Sequence, residues 1–265
     1  MDFVTYIIFF VVSFGACIVG AICGIGGGVI IKPTLDAVGV LPVSTISFLS
    51  GCTVLAMSLY SVLKGRGKGE SQLDRRVATP LAIGAAAGGI LGKVMFESVK
   101  RLFADADMVG GVQAACLLIV TLGTLLYTVK KEQIPTRRVK SPVVCVVIGL
   151  VLGVMSSFLG IGGGPINLVV LFYFFSMNTK TAALNSLYII LFSQITSFLQ
   201  TMASGKVPEF DWKVLVTMVG AGLLGGFLGR KVNRRMDGQM VDKLFMVLML
   251  VICGINVYNI YRFMC

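Results

Sequence analysis

The stretch Gly24-Ile25-Gly26-Gly27-Gly28 returns unchanged at Gly160-Ile161-Gly162-Gly163-Gly164. Each copy follows an apolar run long enough to cross a bilayer and precedes a shorter apolar run. Glycine inside a helix costs about 1 kcal/mol relative to alanine. Two long apolar helices broken at matching places by the same five residues need a physical reason.

The composition says where these breaks lie. The chain has 265 residues, 56% of them hydrophobic and 13% charged, with a mean hydropathy of +0.92. Soluble domains carry about a quarter charged residues. The apolar runs fall at 3–23, 29–41, 43–63, 77–96, 108–130, 142–160, 165–176, 181–203, 213–230 and 240–262. Eight have the roughly 20 residues that a spanning helix needs, whereas 29–41 and 165–176 are short. The pattern predicts an all-α polytopic membrane protein with about eight spanning helices plus two short helices after the glycine breaks. The ten-residue alternation of a membrane β-barrel is absent from the sequence. The first run has Asp2 as its only early charge and no basic leader, so it reads as a retained helix rather than a cleaved signal peptide.

The net charge is +11, but the Lys and Arg residues lie mostly between the apolar runs. That pattern follows the positive-inside rule and argues against nucleic-acid binding, which needs a basic patch on a soluble domain. Cys17, Cys23, Cys52, Cys116, Cys145, Cys253 and Cys265 form no CxxC pair, and most sit within apolar runs. They read as small buried residues. With no histidine and no acidic cluster in the apolar segments, no metal or cofactor site is expected.

The two halves match. Beyond the glycine breaks, Ser50 falls opposite Ser186, and Gly88-Gly89-Ile90-Leu91-Gly92-Lys93 falls opposite Gly225-Gly226-Phe227-Leu228-Gly229-Arg230 after a one-residue shift. The glycines of this second motif are read as close helix packing. The connections 64–76, 130–140 and 230–238 are basic, while 97–107 and 204–212 are balanced or acidic. The basic three are expected in the cytoplasm. Parity then puts the N-terminus outside and starts the second half inside. We therefore expect one transmembrane domain of two inverted repeats, 1–135 and 136–265, in the cell membrane, as in many secondary transporters.

Irregular backbone at membrane depth survives only where protein or a water-filled cavity surrounds it. Free N–H groups and the positive end of a helix dipole attract anions. Pro165 suits the first position of a helix. The two short helices are thus expected to start at a shared anion site made by Gly26, Gly27, Gly28, Gly162, Gly163 and Gly164. Ser47, Ser50, Ser58 and Ser61 share one face of the third run, and Ser186, Ser193, Ser197 and Gln200 one face of the eighth. From these, Ser50 and Ser186 are candidate side-chain donors, with Asn167, Asn185 and Lys32; bonding between neighbouring helices is their alternative role. Lys32 and Asp36 stand opposite Leu168 and Phe172 and so break the symmetry. Lys32 either acts on an anion, by holding it directly or by tuning the field at the site, or forms an i,i+4 ion pair near the surface, and Asp36 is a candidate carrier of a coupling proton.

The paired GxGGG breaks, in two related halves of about four spanning helices, resemble the sulfite exporter TauE/SafE family of membrane transporters. The resemblance covers nearly the whole chain. It implies a small sulfur-containing anion as solute: sulfite, a sulfonate such as sulfoacetate, or thiosulfate. Thiosulfate carriers among such proteins are associated with pathway cysteines. Cys23 and Cys52 stand opposite Leu159 and Tyr188, so that role is not carried over. The expected function is secondary transport by alternating access, with the bilayer and the anion as partners and a proton or sodium as the candidate coupling ion. A passive anion channel, a carrier of another small organic anion and a non-transporting subunit are the alternatives. A membrane enzyme would need paired acids or a nucleophile and base within the helices, and the sequence offers neither.

Overall fold

The computed structural model describes residues 3–65, 73–102, 106–161 and 163–264. Gly162, Arg66, Lys68, Asp105 and Cys265 therefore lie outside the described residues, as do the side chains of Lys100, Arg101 and Asp107. Among the described residues the secondary structure is helical, without strands. The helices are α1 (Phe3–Cys23), α2 (Gly28–Val38), α3 (Val43–Lys64), α4 (Arg75–Leu102), α5 (Ala106–Lys130), α6 (Pro142–Leu159), α7 (Pro165–Phe175), α8 (Thr179–Ala203), α9 (Trp212–Asn233) and α10 (Gly238–Met264). Eight are long and apolar enough to cross a membrane. The 11-residue α2 and α7 are each about 16 Å long at 1.5 Å per residue, too short to cross alone.

The breaks have a local cause. Gly24 takes φ 79° and Gly160 φ 66°, the left-handed conformation that ends a helix. The N–H groups of Gly24 and Ile25 both donate to the Gly20 carbonyl. The N–H of Gly160 donates to the carbonyls of Ser156 and Ser157. The isoleucine inside each motif is the anchor: Ile25 and Ile161 are buried. Pro165 opens α7 as expected. After its break the chain doubles back: Gly27 lies against Cys17 of α1, and the Arg137 and Val139 N–H groups, ahead of α6, donate to Tyr173 and Phe174 at the end of α7.

Small residues let the long helices touch backbone to backbone. On α4, Gly84, Gly88 and Gly92 face the carbonyls of Val146, Leu150 and Val154 on α6, and Gly149 and Gly153 return the contact to Leu81 and Ala85. On α9, Gly225 and Gly229 face the carbonyls of Phe14 and Ile18 on α1. A methyl group at any of these positions would overlap backbone. Gly226 packs on the Met57 side chain, and Gly89 faces the Ser157 hydroxyl. The packing role expected for these glycines is thus seen directly.

The helix pairings form a set. The chain packs α1 on α9 and α4 on α6, α3 on α9 and α4 on α8, and α2 on α10 and α7 on α5; α3 also packs on α8 and α5 on α10. Exchanging α1–α5 with α6–α10 turns each of the first three pairings into its partner and leaves α3 on α8 and α5 on α10 unchanged. The two short helices lie inside this cage, where Gly28, Val29, Ile31, Leu35, Pro165, Leu168 and Leu171 are buried.

Candidate functional site

The two breaks meet. A side chain at Gly28 would strike the Ile161 carbonyl oxygen, and one at Gly164 would reach Val29 at 3.7 Å. Gly26 lies beside Val54 and Ile190, and Gly163 beside Ile190 and Asn167. The first turn of an α-helix has N–H groups without intrahelical acceptors, and both short helices start at this crossing. Asn167, Ser50 and Ser186 are buried. Asn167 Oδ1 and the hydroxyls of Ser50 and Ser186 have no partner among the described residues. Asn185 has a different place. Its Oδ1 accepts from the Asp74 N–H at 3.1 Å, and its Nδ2 donates to the Thr181 carbonyl at 2.8 Å.

Lys32 and Asp36 form an ion pair at 2.7 Å, both buried. Of the two roles considered for Lys32, the i,i+4 pair is the one seen, although it lies inside the protein rather than near its surface. The lysine stem also approaches the other half: a side chain at Gly160 would meet Lys32 Cε at 3.3 Å. Two residues of α10 hold the helix from behind. Asn259 Nδ2 donates to the Pro33 carbonyl, and Arg262 Nη1 donates to the carbonyls of Asp36 and Ala37.

Beside the second break lies a cavity of about 540 Å³. Its wall includes Ser47, Gly51 and Cys52 of α3, Lys93 and Glu97 of α4, Gln113 of α5, Ser156, Ser157 and Gly160, and Gln194, Ser197 and Thr201 of α8. Phe48, Phe96 and Phe198 supply its apolar side. Each helix gives the cavity its end remote from the basic connections. Glu97 is paired with Lys206, whereas the Lys93 ammonium donates to the neutral hydroxyl of Thr201. A second cavity, of about 360 Å³, lies at the basic end, lined by Asp74, Arg138, Lys140, Asn178 and Thr181 among others.

Of the residues expected at the site, the structure gathers Gly26, Gly27, Gly28, Gly163, Gly164 and Asn167 at the crossing, sets Lys32 beside Gly160, and leaves Asn185 bonded toward Asp74. The larger cavity touches this set only through Gly160, which starts the second motif. Gln113, Ser156, Ser157 and Lys93 were not among the expected site residues. The signal was present: Gln113 is a lone amide near the start of an apolar run, and Ser156-Ser157 stands directly before a break. Lys93 stands at the end of the repeated glycine motif.

The comparisons with known proteins agree with this architecture. The family described as "Sulfite exporter TauE/SafE" matches residues 9–256. The chain is 22% identical to a probable membrane transporter protein, YunE, of Bacillus subtilis (strain 168), over 94% of this chain and 96% of that one. It is 25% identical to a probable membrane transporter protein of Haemophilus influenzae, over 89% and 91% of the two chains. No solved structure matches. With the family match running through both glycine breaks, from the first spanning helix into the last, the chain belongs to the sulfite exporter TauE/SafE family of membrane proteins.

Proposed function

We propose that the protein is a secondary transporter of a small sulfur-containing anion, working by alternating access between two inverted repeats. The observation that carries this reading is the cavity that ends on Gly160. It borders the second break at Gly160, and at the crossing beyond it the first-turn N–H groups suit an anion. In this reading the anion enters past Lys93 and is held at Gly26–Gly28 and Gly162–Gly164, with Ser50, Ser186, Asn167 and Lys32 around it. Asn185 lies on the way to the basic face. Asp36 is the carboxylate assigned to a coupling proton. The N-terminus is outside the cell membrane, so the cavity faces outward.

The other face supports alternation over a continuous pore. By the repeat alignment, the counterpart of Gly160 is Gly24, which presses on the backbone of Ala183. The counterpart of Lys93 is Arg230, whose guanidinium donates to the Ser61 carbonyl. One end is open and its equivalent is shut, as a carrier with one accessible side requires.

The test is uptake into proteoliposomes of purified protein, with sulfite, sulfoacetate and thiosulfate as solutes. Saturable uptake with exchange of preloaded solute is expected. Gly163→Leu, whose Cβ alone would come within 2.6 Å of Ile190 Cγ1, abolishes it. Flux that rises linearly with concentration and shows no exchange would establish a passive channel instead.

A further inference from the structure

We propose that the cavity selects anions that also carry a hydrogen-bond donor, such as a hydroxyl or N–H group, over anions of the same size without one. This rests on the transporter reading above and names the chemistry of the solute that the same cavity admits.

Gln113 carries the inference. Its side chain is buried at the cavity wall. Its Nε2 donates to the Phe158 carbonyl at 2.7 Å. A carbonyl oxygen only accepts, so the amide orientation is fixed: the nitrogen faces Phe158 and the oxygen faces away. Oε1 is therefore an acceptor, and it has no partner among the described residues. A buried acceptor left unmade is costly, and a donor brought by the solute satisfies it.

The remaining wall asks for the opposite character. Ser156 and Ser157 line the same cavity, their hydroxyls are buried without partners among the described residues, and each has a proton to donate. Lys93 adds a cation whose bonded neighbour is the neutral Thr201 hydroxyl. The nearby carboxylate of Glu97 is neutralised by Lys206. Gln113 Oε1 is thus a buried, unmet acceptor in a wall that otherwise offers unmet hydroxyl donors and the Lys93 cation. A bare oxyanion or a simple alkyl sulfonate matches the donors and leaves Gln113 Oε1 orphaned. An anion with a hydroxyl or N–H group a few bonds away matches both.

The measurement is calorimetric titration of purified protein with two matched pairs: ethanesulfonate against 2-hydroxyethanesulfonate, and propanoate against 3-hydroxypropanoate. At least one donor-bearing member should bind about tenfold more tightly than its mate, the scale of one buried hydrogen bond to an otherwise unmet group. Gln113→Leu should bring that ratio close to one without weakening the donor-free member. A ratio near one in the wild type, or a ratio retained in Gln113→Leu, overturns the inference. The wild type supplies a second readout that needs no folded variant. Cys52 lines the cavity, and its alkylation by a maleimide, scored against Cys52→Ser, should be slowed at lower concentration by the donor-bearing anion. Equal protection by both members sinks the donor selectivity and leaves the transporter reading intact. No binding and no protection by any member overturns both.

Discussion

The two glycine breaks share five residues and a left-handed first glycine that ends the preceding helix, yet their surroundings are opposite. At the first, Gly24 abuts Ala183 of α8, and Gly20 packs against Gly26 and Gly27. The Arg230 guanidinium closes over Ser61 and Gly65. At the second, Gly160 borders a cavity, and the nearest atoms to it belong to the side chains of Ser47 and Lys32. Where the first half has Gly20, Ala21 and Gly65, the second has Ser156, Ser157 and Thr201. The repeated motif therefore ends the preceding helix in the same way, while access to that end depends on how neighbouring helices pack. A helix end closed by a left-handed glycine is local; packing between helices has more than one solution.

The sharpest way to break this comparison is to place the same methyl group at both turns. Gly24→Ala adds a Cβ in a left-handed residue, at a cost of about 1–2 kcal/mol, and drives it into the Ala183 backbone, which has no rotamer to yield. With over-packing added, the loss is about 2–5 kcal/mol, whose upper end reaches the whole stability of a marginal protein. Gly160→Ala meets Ser47 Oγ at 3.1 Å and Lys32 Cε at 3.3 Å, both ends of side chains that can move. It should lose only about 1–2 kcal/mol, the conformational part. Thermal unfolding of the two purified variants compares them, and equal losses would mean that the two surroundings are not distinct.

Lys32 and Asp36 are the strongest departure from the repeat, since Leu168 and Phe172 stand in their places in the second half. Removing one member of a buried pair leaves an uncompensated charge and costs about 3–5 kcal/mol. Asp36→Ala is therefore expected to be strongly destabilised. The double variant Lys32→Leu with Asp36→Phe makes the first short helix like the second, and should recover most of that stability, because apolar replacements of buried pairs are often neutral. If the pair serves the transport cycle, the stable double variant carries no solute in proteoliposomes. Normal transport by that variant would assign the pair to structure.

How far the sequence can be read follows the same division. The breaks, the two short helices and the Pro165 start were legible because a glycine run in an apolar stretch has few physical explanations. Gly88, Gly92, Gly225 and Gly229 were legible as packing because small residues one helical turn apart make a flat face. The bonds of Asn185 to Asp74 and Thr181 were not legible, because nothing in the sequence says where the 64–76 connection folds. The cavity was not legible at all. It exists because α3, α4, α5, α6 and α8 leave space at one end, while α1, α3, α8 and α9 close up near Gly24 and Gly65. Small residues stand at both ends, glycine and alanine at one and serine and threonine at the other, and the sequence does not say which of them the neighbouring helices cover.

Arg230 offers the gentlest test of that difference. Its bond to the Ser61 carbonyl ties α9 to α3 beside Gly65, and a side chain at Gly65 would strike Leu184 of α8 at 2.6 Å. A hydrogen bond to a charged group contributes about 1.5–3 kcal/mol. Arg230→Leu removes it while keeping an apolar stem, so the shut end should open in a larger fraction of molecules, by about tenfold or more if the bond exists only in the shut state. The reporter is Leu184→Cys, at a position that is buried, labelled by a maleimide that crosses the membrane. Labelling should be slow in the Arg230 background and several-fold faster with Arg230→Leu, whereas Cys52 labelling, at the open end, should fall as the population shifts away from the present state. The opposing changes matter more than either rate alone. A variant that merely loosens the fold exposes both cysteines, and an unchanged pair of rates would mean that Arg230 caps α3 without holding that end closed.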